Sequence, residues 1–231
     1  MITTIAFDAD DTLWHNERIF LSTKDRYTAL LSEYHDKNYI ERHLDATETK
    51  NIKHFGYGVK GFTLSMIETA CELTEGRITG DKIKEIITFA KDMLASPIDV
   101  LDGVKDTIAE LSKEYRLLCI TKGDLLDQET KLARSGLGEY FDALEIVPRK
   151  VAATYENILK RHNLTADEFV MVGNSLRSDI LPVIEIGAKA VFIPYETEWF
   201  HEAVTEEELA GKIFTRLDNI SALSVWISKI S

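Results

Sequence analysis

The residues best suited to chemistry lie near the start of the chain, where three carboxylates follow a short apolar run. The run at residues 2–7 is typical of a buried strand, and Asp8, Asp10 and Asp11 come directly after it. Like charges at this place repel one another and cost desolvation energy, unless a cation lies among them or one of them reacts. Taken alone, the cluster is better explained by a solvated loop that caps the next helix. Its meaning depends on partners further along the chain.

Polar residues also follow three later apolar runs. The segment Thr-Lys-Gly at 121–123 follows the second run and offers a hydroxyl and backbone N–H groups to an anion. Lys150 follows the third run, and the segment 174–179 follows the fourth with Asn, Ser and Asp side chains. The carboxyl ends of strands in a parallel sheet lie along one edge, which is where ligands bind. We therefore expect these side chains to converge on one pocket.

Each of these residues also has an ordinary structural explanation. Thr121 and Asn174 are of the type that caps helices, while Lys150 and Asp179 fit solvated faces. All of them, however, occur in chain order and at the same predicted edge. The combination is a stronger indication of a site than any single member.

A pocket with these groups has what phosphoryl transfer through an aspartyl intermediate requires. A carboxylate attacks phosphorus and forms an acyl phosphate, which divides one displacement into two. A second acid protonates the leaving alkoxide and then deprotonates the hydrolytic water. A lysine and a hydroxyl hold the phosphate oxygens as charge shifts. A divalent cation shields the anions from one another, and hard oxygen ligands favour Mg²⁺ over zinc.

The scaffold that must position these groups is predicted to be an α/β domain with a mostly parallel sheet covered on both faces. Helices and strands alternate along the second half of the chain. The strands are predicted near 2–7, 117–120, 144–147, 169–172, 190–193 and 213–214, and the helices near 103–115, 125–135, 151–162, 180–186 and 220–230. This order predicts a three-layer, Rossmann-like core.

Residues 15–95 have a different pattern, with four amphipathic helices and short connections, which is typical of a small bundle. The first strand has to pair with the later ones, because a lone strand is not stable. The bundle is therefore predicted to be an insertion. We expect a core domain of residues 1–14 and 96–231, and an inserted helical domain of residues 15–95 that stands over the carboxyl edge of the sheet as a lid.

Composition argues against several classes of protein. The net charge of −12 argues against nucleic-acid or anionic-membrane partners, and there is no apolar stretch long enough to span a bilayer. The first strand begins without a basic region ahead of it, which predicts no signal peptide. Cys71 and Cys119 are far apart in apolar patterns, which argues against a disulfide or a cysteine metal site. We expect a cytoplasmic protein whose partner is a small-molecule phosphomonoester. The oligomeric state is not indicated.

The segment Phe-Asp-Ala-Asp-Asp-Thr at 7–12 resembles the first motif of the haloacid dehalogenase superfamily, Asp-x-Asp-x-Thr. The resemblance extends over nearly the whole chain, and the helical insertion is similar to the α-helical cap of that superfamily. It implies an Mg²⁺-dependent phosphatase in which Asp8 is the nucleophile and a metal ligand. By the same resemblance, Asp10 is the general acid and base, and its backbone carbonyl also binds the metal. Asp11 is expected to hold the turn.

The later motifs are matched as well. Thr121 and Lys122 resemble the second motif, which places the Thr121 hydroxyl and the following amides on the phosphate. The segment 173–179 resembles the acidic fourth motif, with Asp179 as a metal ligand.

The resemblance leaves two assignments open, the lysine of the third motif and the role of residue 174. Lys150 best matches the lysine of the third motif, which binds phosphate and steadies the nucleophile, although Arg149 and Lys131 compete with it. Asn174 stands where many phosphatases of the superfamily have Asp. Its amide can still hold a metal-bound water, but it brings one negative charge fewer.

Two other functions compete with a phosphatase. A 2-haloacid dehalogenase uses the same Asp nucleophile without Mg²⁺, and such enzymes share the helical cap and an Asn in the fourth motif. They usually carry a larger residue in place of Asp10. An acid at this position is required by a leaving alkoxide and not by a leaving halide. A non-enzymatic, receiver-like phospho-accepting module also has paired acids after its first strand, but it is about half this length and lacks the insertion. Both comparisons favour the phosphatase.

Substrate choice is expected to lie in the helical insertion. The loop at 56–62 is Gly-rich and carries one cation and two aromatic rings. Tyr57 or Phe62 is a candidate to stack on a base or flavin ring, and Lys60 to meet a second anion. The alternative is a helix connection whose aromatic side chains pack into the bundle.

Overall fold

The computed structural model describes residues 1–197, 202 and 204–230. Its six strands form one sheet in the order β3-β2-β1-β4-β5-β6, and every neighbouring pair is parallel. The strands are β1 (Thr4–Phe7), β2 (Arg116–Lys122), β3 (Ala143–Val147), β4 (Phe169–Gly173), β5 (Lys189–Phe192) and β6 (Thr215–Arg216). The predicted α/β class with a parallel sheet is confirmed.

Helices connect the strands and form the segment that follows β1. They are α1 (Glu17–Leu30), α2 (Lys37–Phe55), α3 (Val59–Leu73), α4 (Gly80–Ala95), α5 (Val104–Leu111), α6 (Leu125–Ser135), α7 (Ala152–His162), α8 (Leu181–Glu185), α9 (Glu206–Leu209) and α10 (Leu223–Ile227). None of the helices in the described part of the chain combines the length and the apolar character that a bilayer crossing requires.

Successive side chains of a strand point to opposite sides of the sheet, and helices cover both sides, so the central strands are buried on both faces. In β1, Ile5 and Phe7 belong to one apolar cluster with α5 and α10, whereas Ala6 belongs to a second cluster with α7 and α8. All four residues of β1 are buried. This explains why the strand reads as a continuous apolar run and not as an alternating one.

The strand order reverses at β1, which makes the carboxyl end of that strand the switch point of the sheet. Phe7, its last residue, pairs with Cys119 of β2 and Val172 of β4. The Asp8 N–H continues the ladder by donating to the Val172 carbonyl at 2.9 Å. Ligands of open α/β sheets bind in the crevice at such a point.

The chain divides into two units, Met1–His15 with Ile98–Ser231, and Asn16–Pro97. The second unit contains α1 to α4 around its own apolar core, in which Tyr27, Leu44 and Met66 are completely buried. The Tyr27 hydroxyl donates to the Met66 carbonyl at 2.8 Å, so its buried polar end is satisfied.

Three predicted elements differ from the structure. The last strand lies at Thr215–Arg216 and not at 213–214, because its pairing with β5 begins at Thr215 and leaves Ile213 89% exposed. The predicted helix at 180–186 is preceded by a π-helical turn, Leu176–Ile180. The predicted helix at 220–230 is a 3-10 turn followed by the short α10.

Glu48 on α2 gives the helical unit a pH-dependent stability. Its side chain is buried, and Oε2 has no hydrogen-bond partner in the described part of the chain. Burial raises the pKa of Glu48 to about 7, against the opposing effect of Lys24 and with a small contribution from Asp45. Between the usual pKa of Glu and about 7, the native state therefore binds a proton that the unfolded state has released. The stability of the native state falls as the pH rises through that interval.

We expect Glu48→Gln to be more stable than the wild type at pH 8 by about 2 kcal/mol and equal to it near pH 5, since the amide needs no proton. Urea unfolding at several pH values measures this difference. The matched control is Glu72→Gln, at an exposed position of α3, which should change neither curve. A pH-independent difference between Glu48→Gln and the wild type would contradict the prediction.

Candidate active site

The centre of the site is a lysine between two buried carboxylates. The Lys150 ammonium contacts Asp8 Oδ1, and it donates to Asp179 Oδ1 at 2.7 Å. Asp8 follows β1, Lys150 precedes α7, and Asp179 lies in the π-helical turn after β4. The Lys150 and Asp179 side chains are each 1% exposed. Three distant parts of the chain thus meet in one buried ion cluster.

Burial controls the protonation of this cluster. It raises the pKa of Asp8 to about 7, because the penalty for the buried charge and the repulsion by Asp179 together exceed the attraction of Lys150. For Lys150, burial acts in the opposite direction, but Asp179 and then Asp8 hold its pKa well above the usual range. Lys150 is therefore a permanent cation beside the first carboxylate of the chain.

Asp179 reaches Lys150 because the turn around it is held by its own backbone. Its Oδ2 accepts a hydrogen bond from the Ser175 N–H at 3.0 Å. Gly173 leaves the space that this side chain fills, since a Cβ atom at residue 173 would lie 2.3 Å from Asp179 Oδ2. The Tyr155 hydroxyl supports the same turn by donating to the Ser178 carbonyl at 2.9 Å.

Asp10 is surrounded by hydrogen-bond donors. Its Oδ1 accepts from Trp14 Nε1 at 2.8 Å and from Lys131 Nζ at 3.0 Å, and its Oδ2 accepts from Gln128 Nε2 at 2.8 Å. Burial acts to raise the pKa of Asp10, but Lys131, followed by the bonds from Gln128 and Trp14, outweighs it and holds the pKa below its usual range. Asp8 and Asp10, two residues apart, therefore have opposite environments.

The turn that follows these two acids has its own constraints. Asp11 has a φ of +62°, a left-handed conformation that Asp tolerates, and its N–H donates to the Trp14 carbonyl at 2.8 Å. The Thr12 hydroxyl lies 3.4 Å from Asp8 Oδ2 and 3.2 Å from Asn174 Oδ1. Thr12 thereby links the end of β1 to the loop after β4.

The end of β2 contributes backbone and a hydroxyl to the site. Thr121 is buried, and its hydroxyl donates to the Lys122 carbonyl at 3.3 Å. The Lys122 ammonium contacts the Glu202 carboxylate and donates to Ser178 Oγ at 3.0 Å. The side chain of Lys122 therefore lies in a polar cluster with Glu202, so its proposed contact with phosphate falls to the backbone.

A sequence model of haloacid dehalogenase-like hydrolases matches residues 2–187. The chain belongs to this family. A family hydrolase from Xanthomonas campestris has a similar structure, with a TM-score of 0.88 and 38% identity over 99% of this chain and 91% of the other. The N-acylneuraminate-9-phosphatase of Mus musculus is 27% identical over 82% of this chain and 81% of its own length. The 5-amino-6-(5-phospho-D-ribitylamino)uracil phosphatase YigB of Escherichia coli is 25% identical over 96% of both chains.

Membership in this family and the phosphatase relatives show that the chain is a hydrolase acting on phosphate monoesters. The structure also separates the three cations that compete for the lysine role of the family's third motif. Lys150 contacts Asp8, Lys131 contacts Asp10, and Arg149 is exposed. Only Lys150 among these three is in contact with the carboxylate at the end of β1.

The substrate candidates of the helical unit are placed differently from one another. The predicted loop at 56–62 ends at Gly58, because α3 begins at Val59. Phe62 is 2% exposed and packs against Phe20 with ring centroids 5.2 Å apart, which corrects its proposed role, since this ring has no free face to stack on a ligand. Lys60 is exposed and Tyr57 is half-buried.

The sequence favours local packing or a hydrogen bond for His15 over a catalytic role, and it suggests that residues 195–199, after β5, edge the pocket. His15 Nδ1 lies 2.6 Å from the hydroxyl of Tyr195, a hydrogen-bond partner that is distant in sequence and not local. The proposal that residues 195–199 edge the pocket extends to Trp199, which lies outside the described residues.

Sequence reasoning missed the partners of Asp10 and Lys122. Gln128 and Lys131 are three residues apart on α6, a spacing that places two side chains on one helical face. That spacing, together with the Asp124 N-cap that fixes where α6 begins, was a usable signal. No sequence signal indicated Glu202, because its partner Lys122 is 80 residues away in sequence.

The oxygen atoms at this edge fit a hard divalent cation. Carboxylate oxygens come from Asp8 and Asp179, both buried and both already in contact with one cationic group, and Asn174 adds an amide oxygen next to Thr12. Such oxygen ligands suit Mg²⁺. Within residues 1–197, 202 and 204–230, no three His, Cys, Asp or Glu side chains form a metal-binding group. A site here would therefore also depend on amide and backbone oxygens.

We expect Gly173→Ala to lower both activity and stability, because its Cβ would displace Asp179 from Lys150. Turnover of p-nitrophenyl phosphate should fall at least tenfold, and the free energy of unfolding by about 1–3 kcal/mol, the usual cost of overpacking. Kinetics and urea unfolding measure the two effects. Gly80→Ala is the control, since nothing lies within 4 Å of a Cβ atom there. Wild-type turnover in Gly173→Ala would contradict the proposed importance of Asp179.

Proposed function

We propose that this hydrolase removes phosphate from small phosphorylated metabolites in two steps, through a phosphorylated Asp8. The observation that carries the proposal is the contact of Lys150 with both Asp8 and Asp179 at the switch point of the sheet. A buried carboxylate at a ligand-binding crevice, held by a permanent cation, suits attack on an anionic phosphorus centre. Lys150 orients the nucleophile and offsets the charge of the incoming phosphate.

Asp10 is the proposed acid and base of the two steps. In the first step the bond between phosphorus and the substrate oxygen breaks, and Asp10 supplies the proton to the leaving alkoxide. In the second step water attacks phosphorus, its proton passes to Asp10, and the bond between phosphorus and Asp8 breaks. Asp10 lies two residues from the nucleophile and is positioned by bonds from Trp14, Gln128 and Lys131.

The phosphate oxygens are proposed to be held by the end of β2 and by Lys150. The Thr121 hydroxyl and the backbone amides after it offer neutral donors, and Lys150 offers charge. Mg²⁺ is the proposed cofactor, with Asp8, Asp179, the Asp10 carbonyl and Asn174 as the residues that would hold it. When bound, it would lower the repulsion between the carboxylates and the phosphate.

The alternative of 2-haloacid hydrolysis finds less support in the arrangement around Asp10. A leaving halide needs no proton, whereas this chain holds a carboxyl group, that of Asp10, in a fixed position two residues from the nucleophile. The two sequence relatives described above are named as phosphatases. Both observations favour a leaving alkoxide over a leaving halide.

The relatives suggest the chemical class of the substrate. One relative is named for an N-acylneuraminate 9-phosphate and the other for a phospho-D-ribityl compound, at identities too low to transfer either substrate. We propose a small phosphorylated metabolite, and the sequence interpretation adds nucleotides and flavin mononucleotide. Tyr57 and Lys60 stay predictions as selecting residues. A panel of these phosphomonoesters, ranked by kcat/KM, identifies the class.

We expect Asp8→Asn to abolish turnover of p-nitrophenyl phosphate by at least a thousandfold, because an amide does not attack phosphorus. The wild type should also give an acid-stable, hydroxylamine-sensitive phosphoenzyme that Asp8→Asn does not form. Asp11→Asn is the matched control: it removes one carboxylate from the same segment, and Asn also tolerates the left-handed conformation. Halide release from a 2-haloacid, with no phosphomonoester turnover in the wild type, would overturn the proposal.

Metal removal tests the proposed cofactor separately. Dialysis against a chelator should abolish turnover, and added Mg²⁺ should restore it. In Asp179→Asn the Mg²⁺ concentration for half-maximal activity should rise at least tenfold, because one charged ligand is lost. Asp167→Asn, which changes a carboxylate in the turn before β4, serves as the control. Full activity of the wild type in excess chelator would rule out the metal requirement.

A further inference from the structure

The three partners of Asp10 have one property in common, which is that each donates its hydrogen bond to the carboxylate. Trp14 offers an indole N–H, Lys131 an ammonium group and Gln128 its amide nitrogen, all within 3.0 Å of a carboxylate oxygen. Both oxygens of Asp10 are engaged, one by two donors and the other by one. The arrangement matches a carboxylate, which is the form that takes a proton from water.

The orientation of the Gln128 amide is fixed by the end of β2. Its Nε2 also donates to the Lys122 carbonyl at 3.0 Å, so a flipped amide would bring its oxygen against that carbonyl. Gly123, with a φ of +122°, lets the chain pass close to the amide, because a Cβ atom there would lie 3.0 Å from Nε2. Gln128 Oε1 is buried and has no hydrogen-bond partner in the described part of the chain. The two hydrogen bonds that Nε2 donates, to Asp10 and to the Lys122 carbonyl, keep the amide in this orientation although Oε1 has no partner there.

Lys131 is fixed by a second acid on its own helix. Its ammonium lies 3.0 Å from Asp10 Oδ1 and 3.6 Å from Asp127 Oδ2, and its side chain is 12% exposed. The long side chain is thereby restrained at its charged end. One face of α6, carrying Gln128 and Lys131, thus holds both oxygens of Asp10.

We propose that Gln128 and Lys131 are positioning residues that orient the Asp10 carboxylate to accept the proton of the hydrolytic water. The inference rests on the proposed function and deepens it. In the step concerned, the water oxygen bonds to phosphorus as its proton passes to Asp10. The bond between phosphorus and Asp8 then breaks, which releases inorganic phosphate and returns Asp8 to a carboxylate. Neither positioning residue touches the reacting atoms.

This role predicts a specific kinetic pattern with p-nitrophenyl phosphate. Its p-nitrophenolate leaves without a proton, so the first step with this substrate does not need Asp10. The parameter kcat/KM reports the steps up to formation of the phosphoenzyme, whereas kcat also includes its hydrolysis. Loss of a positioning residue should therefore lower kcat and KM together and leave kcat/KM unchanged. A merely structural loss would lower kcat/KM as well.

The test compares Gln128→Met and Lys131→Met with the wild type in the full chain. Each variant removes a donor at a similar side-chain length, and Gln128→Met removes no charge. We expect kcat to fall about tenfold or more, kcat/KM to stay within about twofold, and the acid-quenched phosphoenzyme to accumulate in steady state. Lys131→Arg should recover part of kcat, because it restores a cation. Glu129→Gln, an exposed position of the same helix, should behave as the wild type.

Asp10→Asn separates failure of this inference from failure of the proposed function. If Asp10→Asn accumulates phosphoenzyme but Gln128→Met retains wild-type kcat, or loses kcat and kcat/KM in parallel, the positioning role is overturned. If Asp10→Asn accumulates none and turns over normally, the proposed role of Asp10 is overturned, and the inference with it. An independent readout is the Trp14 indole N–H resonance, assigned by its absence in Trp14→Phe. It should shift in Gln128→Met and not in Glu129→Gln, and an unchanged resonance would count against the positioning role.

Discussion

The site depends on the burial of two carboxylates that would repel each other without Lys150. Asp8 follows β1 and Asp179 follows β4, and both contact the same ammonium. Removing one partner of a buried ion pair typically costs about 3–5 kcal/mol, since it leaves a charge without compensation. Loss of any one of these three side chains would therefore destabilise the fold, and the two contacts also hold the proposed nucleophile at the end of β1. Position and protonation of Asp8 are set by one physical arrangement.

The parallel sheet is what brings these three groups together. Its order reverses at β1, so the ends of β2 and β4 lie on either side of Asp8. Two details then decide whether the side chains meet. The π-helical turn after β4 directs Asp179 back over Gly173, where only the absence of a side chain leaves room. The Thr12 hydroxyl spans the remaining gap between Asp8 and Asn174.

Much of this edge was predictable because strand ends can be read from apolar runs, and parallel strands align their ends. The sequence alone therefore predicts a pocket that contains Asp8, Lys150 and Asp179. Contacts that depend on the packing of side chains were not predictable in this way. Phe62 has the chemistry of a ligand contact, but α3 begins early enough to bury it. The bond between Lys122 and Glu202 joins residues whose separation in sequence leaves no pattern.

The pair Asp8 and Asp10 shows how one short segment can supply two chemical roles. The pKa values of these two identical side chains differ because their partners come from different elements. Burial and Asp179 raise the pKa of Asp8, whereas Lys131 and Gln128 of α6 hold that of Asp10 below its usual range. The two acids therefore differ in protonation as well as in position; the ionised form of Asp10 is the one that accepts a proton from water, and Asp8 attacks phosphorus only in its ionised form. The left-handed turn at Asp11 follows both carboxylates and leads the chain to Trp14, whose indole N–H donates to Asp10. The chemical division of this motif is therefore determined by α6 and by the turn after β4, and not by the motif alone.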